Sequence, residues 1–332
     1  MKTALMIAAA VVLLFLIVTL CGGYYMYRFA IVRKKRSHDY WNEPLKPIEY
    51  APEEMHKQMF RGEQFIKSQK TEIVKITSFD GLQLAARVLD CEKPCAVVIL
   101  VHGYRSHPVN DFSCVFEFYT KMNFAIIAID HRAHGISEGK YIGFGVTERY
   151  DIVDWAKYAG ERWRGLPVVL DGVSMGAATV MMGAGVGYPD HVRAIIADCG
   201  YTTPGAICRK VLKQWFHLPP FPIYYAAKLF VRLFAGYNLD GASSREALEK
   251  LKGKNIPVLI AHGKADDFVP YEMSVENMKA FDEGEAVLIT SEEAPHGMAF
   301  FYSQDEYVKA IHDLFERAGI DFLHTTDVDA NK

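Results

Sequence analysis

The segment Leu170-Asp171-Gly172-Val173-Ser174-Met175-Gly176 stands between an apolar run and a run of small residues, and it constrains the fold more than any other stretch. Pro167-Val168-Val169-Leu170 has the character of a short buried strand, while Met175 to Met182 starts a helix rich in small residues. A serine in Gly-x-Ser-x-Gly spacing at such a junction sits on a sharp, strained turn, and Gly172 and Gly176 let strand and helix approach. The motif alone is weak evidence, because serine and glycine are common. The rest of the chain has to support it.

Three further stations do so. His102-Gly103-Tyr104 follows Ala96 to Val101, a continuous apolar run of the kind covered on both faces in a parallel sheet. A loop there can aim a backbone N–H at the serine. Ile256 to Ala261 is a second such strand, and it leads into His262-Gly263-Lys264-Ala265-Asp266-Asp267-Phe268-Val269-Pro270. Ala286 to Thr290 repeats the pattern and delivers Ala294-Pro295-His296-Gly297. The chain order is therefore Ser, Asp, His, each past the carboxyl end of a strand, which differs from the orders of other serine-protease types. Ser174 is a poor nucleophile unless a base takes its proton, and an imidazole titrating near ~6.5 suits that task, so His296 is the expected base. An aspartate should fix the imidazole tautomer; Asp266 and Asp267 are the candidates. The amide of Met175, first in its helix, and that of Tyr104 are the expected oxyanion donors.

On these motifs, together with Asp130-His131-Arg132-Ala133-His134-Gly135-Ile136-Ser137 and Asp198-Cys199-Gly200-Tyr201, the stretch from Glu72 to Ala318 resembles the α/β-hydrolase superfamily. Within it, the chain is most similar to membrane-anchored bacterial hydrolases related to serine aminopeptidases and bile-acid-conjugating acyltransferases. The resemblance implies an α/β-hydrolase fold: a mostly parallel central sheet with helices on both faces and a lid insertion. It aligns His-Gly-x-x-Asp-x-x-Val-Pro on Asp266 as the acid, with Asp267 capping a helix or facing solvent. It also assigns His102 to shaping its loop. His131 and His134 belong to a turn and are read as loop structure.

The amino terminus has a different character. Ala4 to Leu20 is apolar except for Thr19, and with Cys21 to Tyr27 it makes a helix of roughly 36 Å, enough to cross a bilayer. A cleaved signal peptide would have a shorter apolar region and a small-residue cleavage site. Tyr24, Tyr25 and Tyr27 fall at an interface, followed by Arg28, Arg33, Lys34, Lys35 and Arg36, against only Lys2 and the amino terminus on the other side. The excess of basic residues predicts a cytoplasmic catalytic domain. The chain thus divides into an anchor with a basic flank (1–36), a linker and lead-in helix (37–70), a hydrolase domain (71–320) and a polar tail (321–332). The domain begins with a hairpin around Asp80-Gly81. It continues through a helix near Val109–Met122, a strand at Ala125–Ile129, a helix near Glu148–Arg162 and a strand at Val192–Ala197.

From Tyr201 to Lys254 the alternation stops, and the stretch is rich in aromatics, Trp215 and Phe221 among them. Each can simply pack inserted helices on the core; as a group they imply an apolar acyl pocket, with Trp215 and Phe221 as candidate substrate contacts. Lys+Arg of 37 against Asp+Glu of 40, with no long basic stretch after the first forty residues, argues against nucleic acid as a partner. No metal-ligand cluster or dinucleotide-binding glycine pattern accompanies the triad, so neither metal nor cofactor is expected. Cys91 and Cys95 bracket a turn and would form a disulfide only on an exported face; free thiols are the default. The expected activity is cleavage of an ester or related acyl bond of an apolar small molecule through a Ser174 acyl-enzyme. A peptidase, an amidase or an acyltransferase would use the same triad, and a non-catalytic membrane-tethered binding protein would show a broken triad or elbow. The oligomeric state is not readable.

Overall fold

The computed structural model describes residues 1–34, 38–45, 48 and 51–323. Lys35, Arg36 and most of the polar tail, 324–332, lie outside them. The strands are β1 (Glu72–Thr77), β2 (Gln83–Leu89), β3 (Ala96–Val101), β4 (Phe124–Ile129), β5 (Val168–Val173), β6 (Val192–Asp198), β7 (Val258–Gly263) and β8 (Ala286–Ser291). They form one sheet in the order β1-β2-β4-β3-β5-β6-β7-β8. β1 and β2 pair antiparallel across the Asp80-Gly81 turn, β2 pairs antiparallel with β4, and every later pairing is parallel.

The continuous apolar runs follow from this layering. On β3, Ala96, Val98 and Leu100 join the core on one face of the sheet, while Val97, Ile99 and Val101 join the core on the other. A strand covered on both sides has no solvent face to make polar. The helices are α1 (Lys2–Ala30), α2 (Glu53–Ser68), α3 (Pro108–Phe112), α4 (Phe116–Lys121), α5 (Glu148–Arg162) and α6 (Met175–Gly183). They continue with α7 (Pro204–Gln214), α8 (Pro220–Phe230), α9 (Ser244–Leu248), α10 (Tyr271–Met278), α11 (Ala299–Tyr302) and α12 (Gln304–Arg317). Tyr119 of α4 and Phe315 of α12 cover one face; Trp155 of α5 and Val180 of α6 cover the other. The insertion after β6 is helical, and a π-helical turn at Val231–Ala235 extends α8.

Two expectations need correction. The helix near Val109–Met122 is broken into α3 and α4, because α2 crosses the break: a Cβ at Gly62 would fall 1.9 Å from the Ser113 carbonyl oxygen. The segment before α2 is not a free linker. Trp41 is buried, its ring 6.0 Å from that of Phe116, and the Arg87 guanidinium lies 5.0 Å from the centre of the Trp41 ring while paired with Asp39.

α1 meets the membrane test by length and composition. Its most apolar eighteen-residue window has a mean hydropathy of 3.0 and none of it is buried against the domain. Its last turns are another matter. A Cβ at Gly23 would lie 2.4 Å from that of Ala226 on α8, Tyr24 and Tyr27 meet Phe230 and Phe234, and the chain then joins the domain through a Val32–Tyr141 bridge.

Beneath the sheet's centre, Asp171 is fully buried and accepts from the Tyr119 hydroxyl at 2.6 Å. Burial, with the nearby Asp198, pushes its carboxyl up to about 7 despite that bond. A carboxyl whose folded pKa is raised contributes stability below its unfolded value of ~3.9 and loses it as pH climbs through the folded one. Asp171→Asn keeps an acceptor for Tyr119 and cannot ionise. Its melting temperature relative to the parent should therefore rise between pH 5 and pH 8, by the equivalent of about 1 kcal/mol or more. A pH-independent difference in thermal melts would contradict this.

Candidate active site

Ser174 lies between β5 and α6 at φ 56° and ψ −113°, a left-handed conformation that costs a non-glycine residue about 1–3 kcal/mol. Its glycine neighbours make the turn feasible. A Cβ at Gly176 would fall 1.8 Å from the Val101 carbonyl oxygen, and one at Gly172 would fall 2.5 Å from the Gly176 backbone. The Ser174 N–H donates to the Asp198 carbonyl at 2.8 Å, which ties the turn to β6.

His296 arrives on the loop after β8. The Ser174 hydroxyl donates to its Nε2 at 2.9 Å, and its Nδ1–H donates to Asp266 Oδ2 at 2.6 Å. A carboxylate accepting at Nδ1 leaves Nε2 as the acceptor, the tautomer a general base requires. Asp266 is buried, while Asp267 is exposed and its carbonyl accepts from Lys210. Burial by itself would raise the Asp266 carboxyl, but hydrogen bonds from His262 and His296 outweigh it and hold the group well below the usual carboxylate range. Its other oxygen accepts the N–H groups of Phe268 and Val269 at 2.9 and 2.8 Å.

His262 is the residue that sequence reasoning missed. Its Nε2 reaches Asp266 Oδ2 at 3.1 Å and the Val269 carbonyl at 2.9 Å, while its Nδ1 pairs with the Ser274 hydroxyl at 2.6 Å. It stands in the same His-Gly-x-x-Asp stretch that located Asp266, so the signal was present and the role was not assigned.

The loop after β3 closes on the serine: a Cβ at Gly103 would lie 3.4 Å from that of Ser174. Within that loop the Gly103 N–H donates to Asp111 at 2.7 Å and the Arg105 N–H to His134 Nε2 at 3.0 Å. Tyr104, whose N–H is the candidate donor, lies between them. Met175 is the first residue of α6, where the first-turn N–H groups have no intrahelical partner. His102 is fully buried, donating from Nδ1 to the Gly103 carbonyl and accepting the His131 N–H. Burial drives the imidazoles of His102, His131 and His134 far down, the latter two to about 3, so they stay neutral and shape the loop. Cys199, Asp266 and His296 bring donor atoms within 4.8 Å of one another. Asp266 and His296 already bond each other, and burial pushes the Cys199 thiol well up, which suits a packed thiol better than a ligand. Cys91 and Cys95 are free thiols.

A cavity of about 880 Å³ opens on Ser174 and His296. Ile207, Leu212 and Trp215 of the insertion line it, as do Met55 and Met59 of α2. So do Tyr27, Phe29 and Ala30 of α1; the Tyr104 hydroxyl donates to the Ala30 carbonyl at 2.9 Å. Trp215 thus lines the cavity. Phe221 does not: it is exposed, outside the cavity wall, against Tyr225.

The fold is that of the α/β hydrolases, and comparison with known proteins agrees on the fold. Residues 92–234 match the family model described as serine aminopeptidase, S33. The uncharacterized protein YqkD of Bacillus subtilis (strain 168) is 28% identical over 222 residues, 66% of this chain and 70% of that one. YfhR of Escherichia coli (strain K12) is 24% identical over 61% of this chain and 66% of its own length. Among solved structures, the Pyrococcus furiosus esterase Pf2001 superposes with a TM-score of 0.60 at 23% identity, covering 85% of this chain and 98% of that one. These likenesses show that the chain has the α/β-hydrolase fold.

Asp266→Asn should lower kcat by roughly 10⁴ by disturbing the imidazole tautomer, while Asp267→Asn should leave it within about threefold. Steady-state rates on a nitrophenyl ester check this, and the reverse ranking would move the acid by one residue.

Proposed function

We propose that this enzyme is a membrane-bound serine esterase acting on apolar acyl esters. The observation that carries the reading is the continuous hydrogen-bonded chain from Ser174 through His296 to Asp266, facing a largely apolar cavity. Ser174 Oγ attacks the acyl carbonyl as its proton passes to His296 Nε2. The N–H groups of Met175 and Tyr104 hold the developing oxyanion, and Asp266 stabilises the imidazolium. His296 then protonates the leaving alcohol, and the same imidazole activates the water that releases the acid. An esterase among the structural relatives supports the bond type. The apolar cavity supports an acyl chain over a charged peptide end.

In this reading α1 is a retained anchor, because its last turns form part of the cavity wall and removing them would open the site. Arg28, Arg33 and Lys34 follow the apolar stretch and favour a cytoplasmic domain. Protease added to intact cells, or to spheroplasts, should then spare the domain until the membrane is opened; digestion beforehand would reverse the orientation.

Ser174→Ala and His296→Ala should each cost on the order of 10⁶ in kcat, and the double variant should cost no more than either, since the two act as a unit. Ester hydrolysis rates check this; additive losses would contradict a shared mechanism.

A further inference from the structure

Outside the active site, the structure leaves an apolar stripe on its surface. Phe221, Tyr225, Leu229 and Leu233 recur every four residues along α8 and the π-helical turn and are 70%, 56%, 47% and 65% exposed. Tyr225 and Leu229, four residues apart, share one side of α8, and the Phe221 ring, at a non-helical position before them, lies 5.9 Å from that of Tyr225. Phe234, 52% exposed, adds to the same surface. None of these five lines the cavity. Single exposed hydrophobics need no explanation, but a contiguous patch marks a contact surface.

The depth of that surface follows from α1. A hydrocarbon core of ~30 Å takes up about 20 helical residues, so a span starting near Ala4 ends near Gly23. Tyr24, Tyr25 and Tyr27 then lie at the level where aromatic side chains gather at a membrane interface. The same turn holds α8: Tyr24 is 5.4 Å from Phe230, ring centre to ring centre, and Tyr27 is 5.6 Å from Phe234. The exposed stripe continues from the membrane helix at interfacial depth. Arg28 and Arg232, both exposed, accompany it at the level of lipid phosphates. The cavity is walled by these same turns through Tyr27, Phe29 and Ala30, and Phe29 packs edge-on against Phe216, 5.4 Å away, beside the half-exposed Trp215.

We infer that the α8 stripe rests in the bilayer interface and that the active-site cavity takes its substrate, an acyl ester dissolved in the membrane, directly from that leaflet. The inference rests on the esterase reading for the bond that is cut, and on the surface alone for where the substrate resides. α1 then acts as a tether and also sets the depth of the cavity mouth.

The test uses the full chain reconstituted in phosphatidylcholine–phosphatidylglycerol vesicles. Leu229→Asn/Leu233→Asn should keep hydrolysis of water-soluble 4-nitrophenyl acetate within about twofold of the parent and lower hydrolysis of vesicle-borne monooleoylglycerol at least tenfold. Equal losses on both esters, or no loss on either, would overturn the inference. A Leu233→Trp variant supplies a readout free of activity: lipids brominated near the headgroup end of their chains should quench its added emission, and unquenched emission would overturn the membrane seat. A change of assembly size in detergent between parent and double variant, without the selective loss on monooleoylglycerol, would give the stripe to a second copy of the chain and likewise overturn it. If the parent hydrolyses neither ester while the added tryptophan is quenched, the esterase reading fails and the membrane seat stands.

Discussion

The approach of α6 to β3 leaves no room for a side chain at Gly176, where a Cβ would lie 1.8 Å from the Val101 carbonyl. Helix and strand can meet that closely only if the chain turns sharply between β5 and α6, and the turn falls on Ser174 with its positive φ. The strain is offset by everything packed around it: the bond from the Ser174 amide to Asp198, the fully buried α6 and the paired strands on either side. What the strain achieves is placement. The serine hydroxyl stands clear of the sheet, beside the first amides of a helix and within 2.9 Å of an imidazole.

Electrostatics complete the arrangement with few charges. Asp266 is a buried carboxylate that stays ionised because two histidines and two backbone amides donate to it. Nearby, the imidazoles of His102, His131 and His134 are held neutral by burial and serve the loop that carries Tyr104. Histidines of one chain thus have opposed roles, and environment rather than residue type separates them.

Much of this was legible in the sequence because it is local. The apolar runs of β3, β5 and β7, the glycines around Ser174 and the short motifs that carry Ser174, Asp266 and His296 each depend on residues within a few positions of one another. The break between α3 and α4 was not legible, since it comes from Gly62, some fifty residues earlier in the chain. The docking of Trp41, the support of Asp266 by His262 and the entry of α1 into the cavity wall also depend on tertiary neighbours. Phe221 shows the limit of composition: its place in an aromatic insertion implied a pocket contact, whereas its backbone position turns it outward.

The account rests on Ser174 being the nucleophile by virtue of that elbow. The most direct measurement is reaction of the full chain with a fluorophosphonate, followed by peptide mapping by mass spectrometry of native and urea-unfolded samples. The account predicts one adduct per chain, on the peptide carrying Ser174, formed only by the folded protein. An adduct on another residue, or a folded protein that takes up no label, would contradict it.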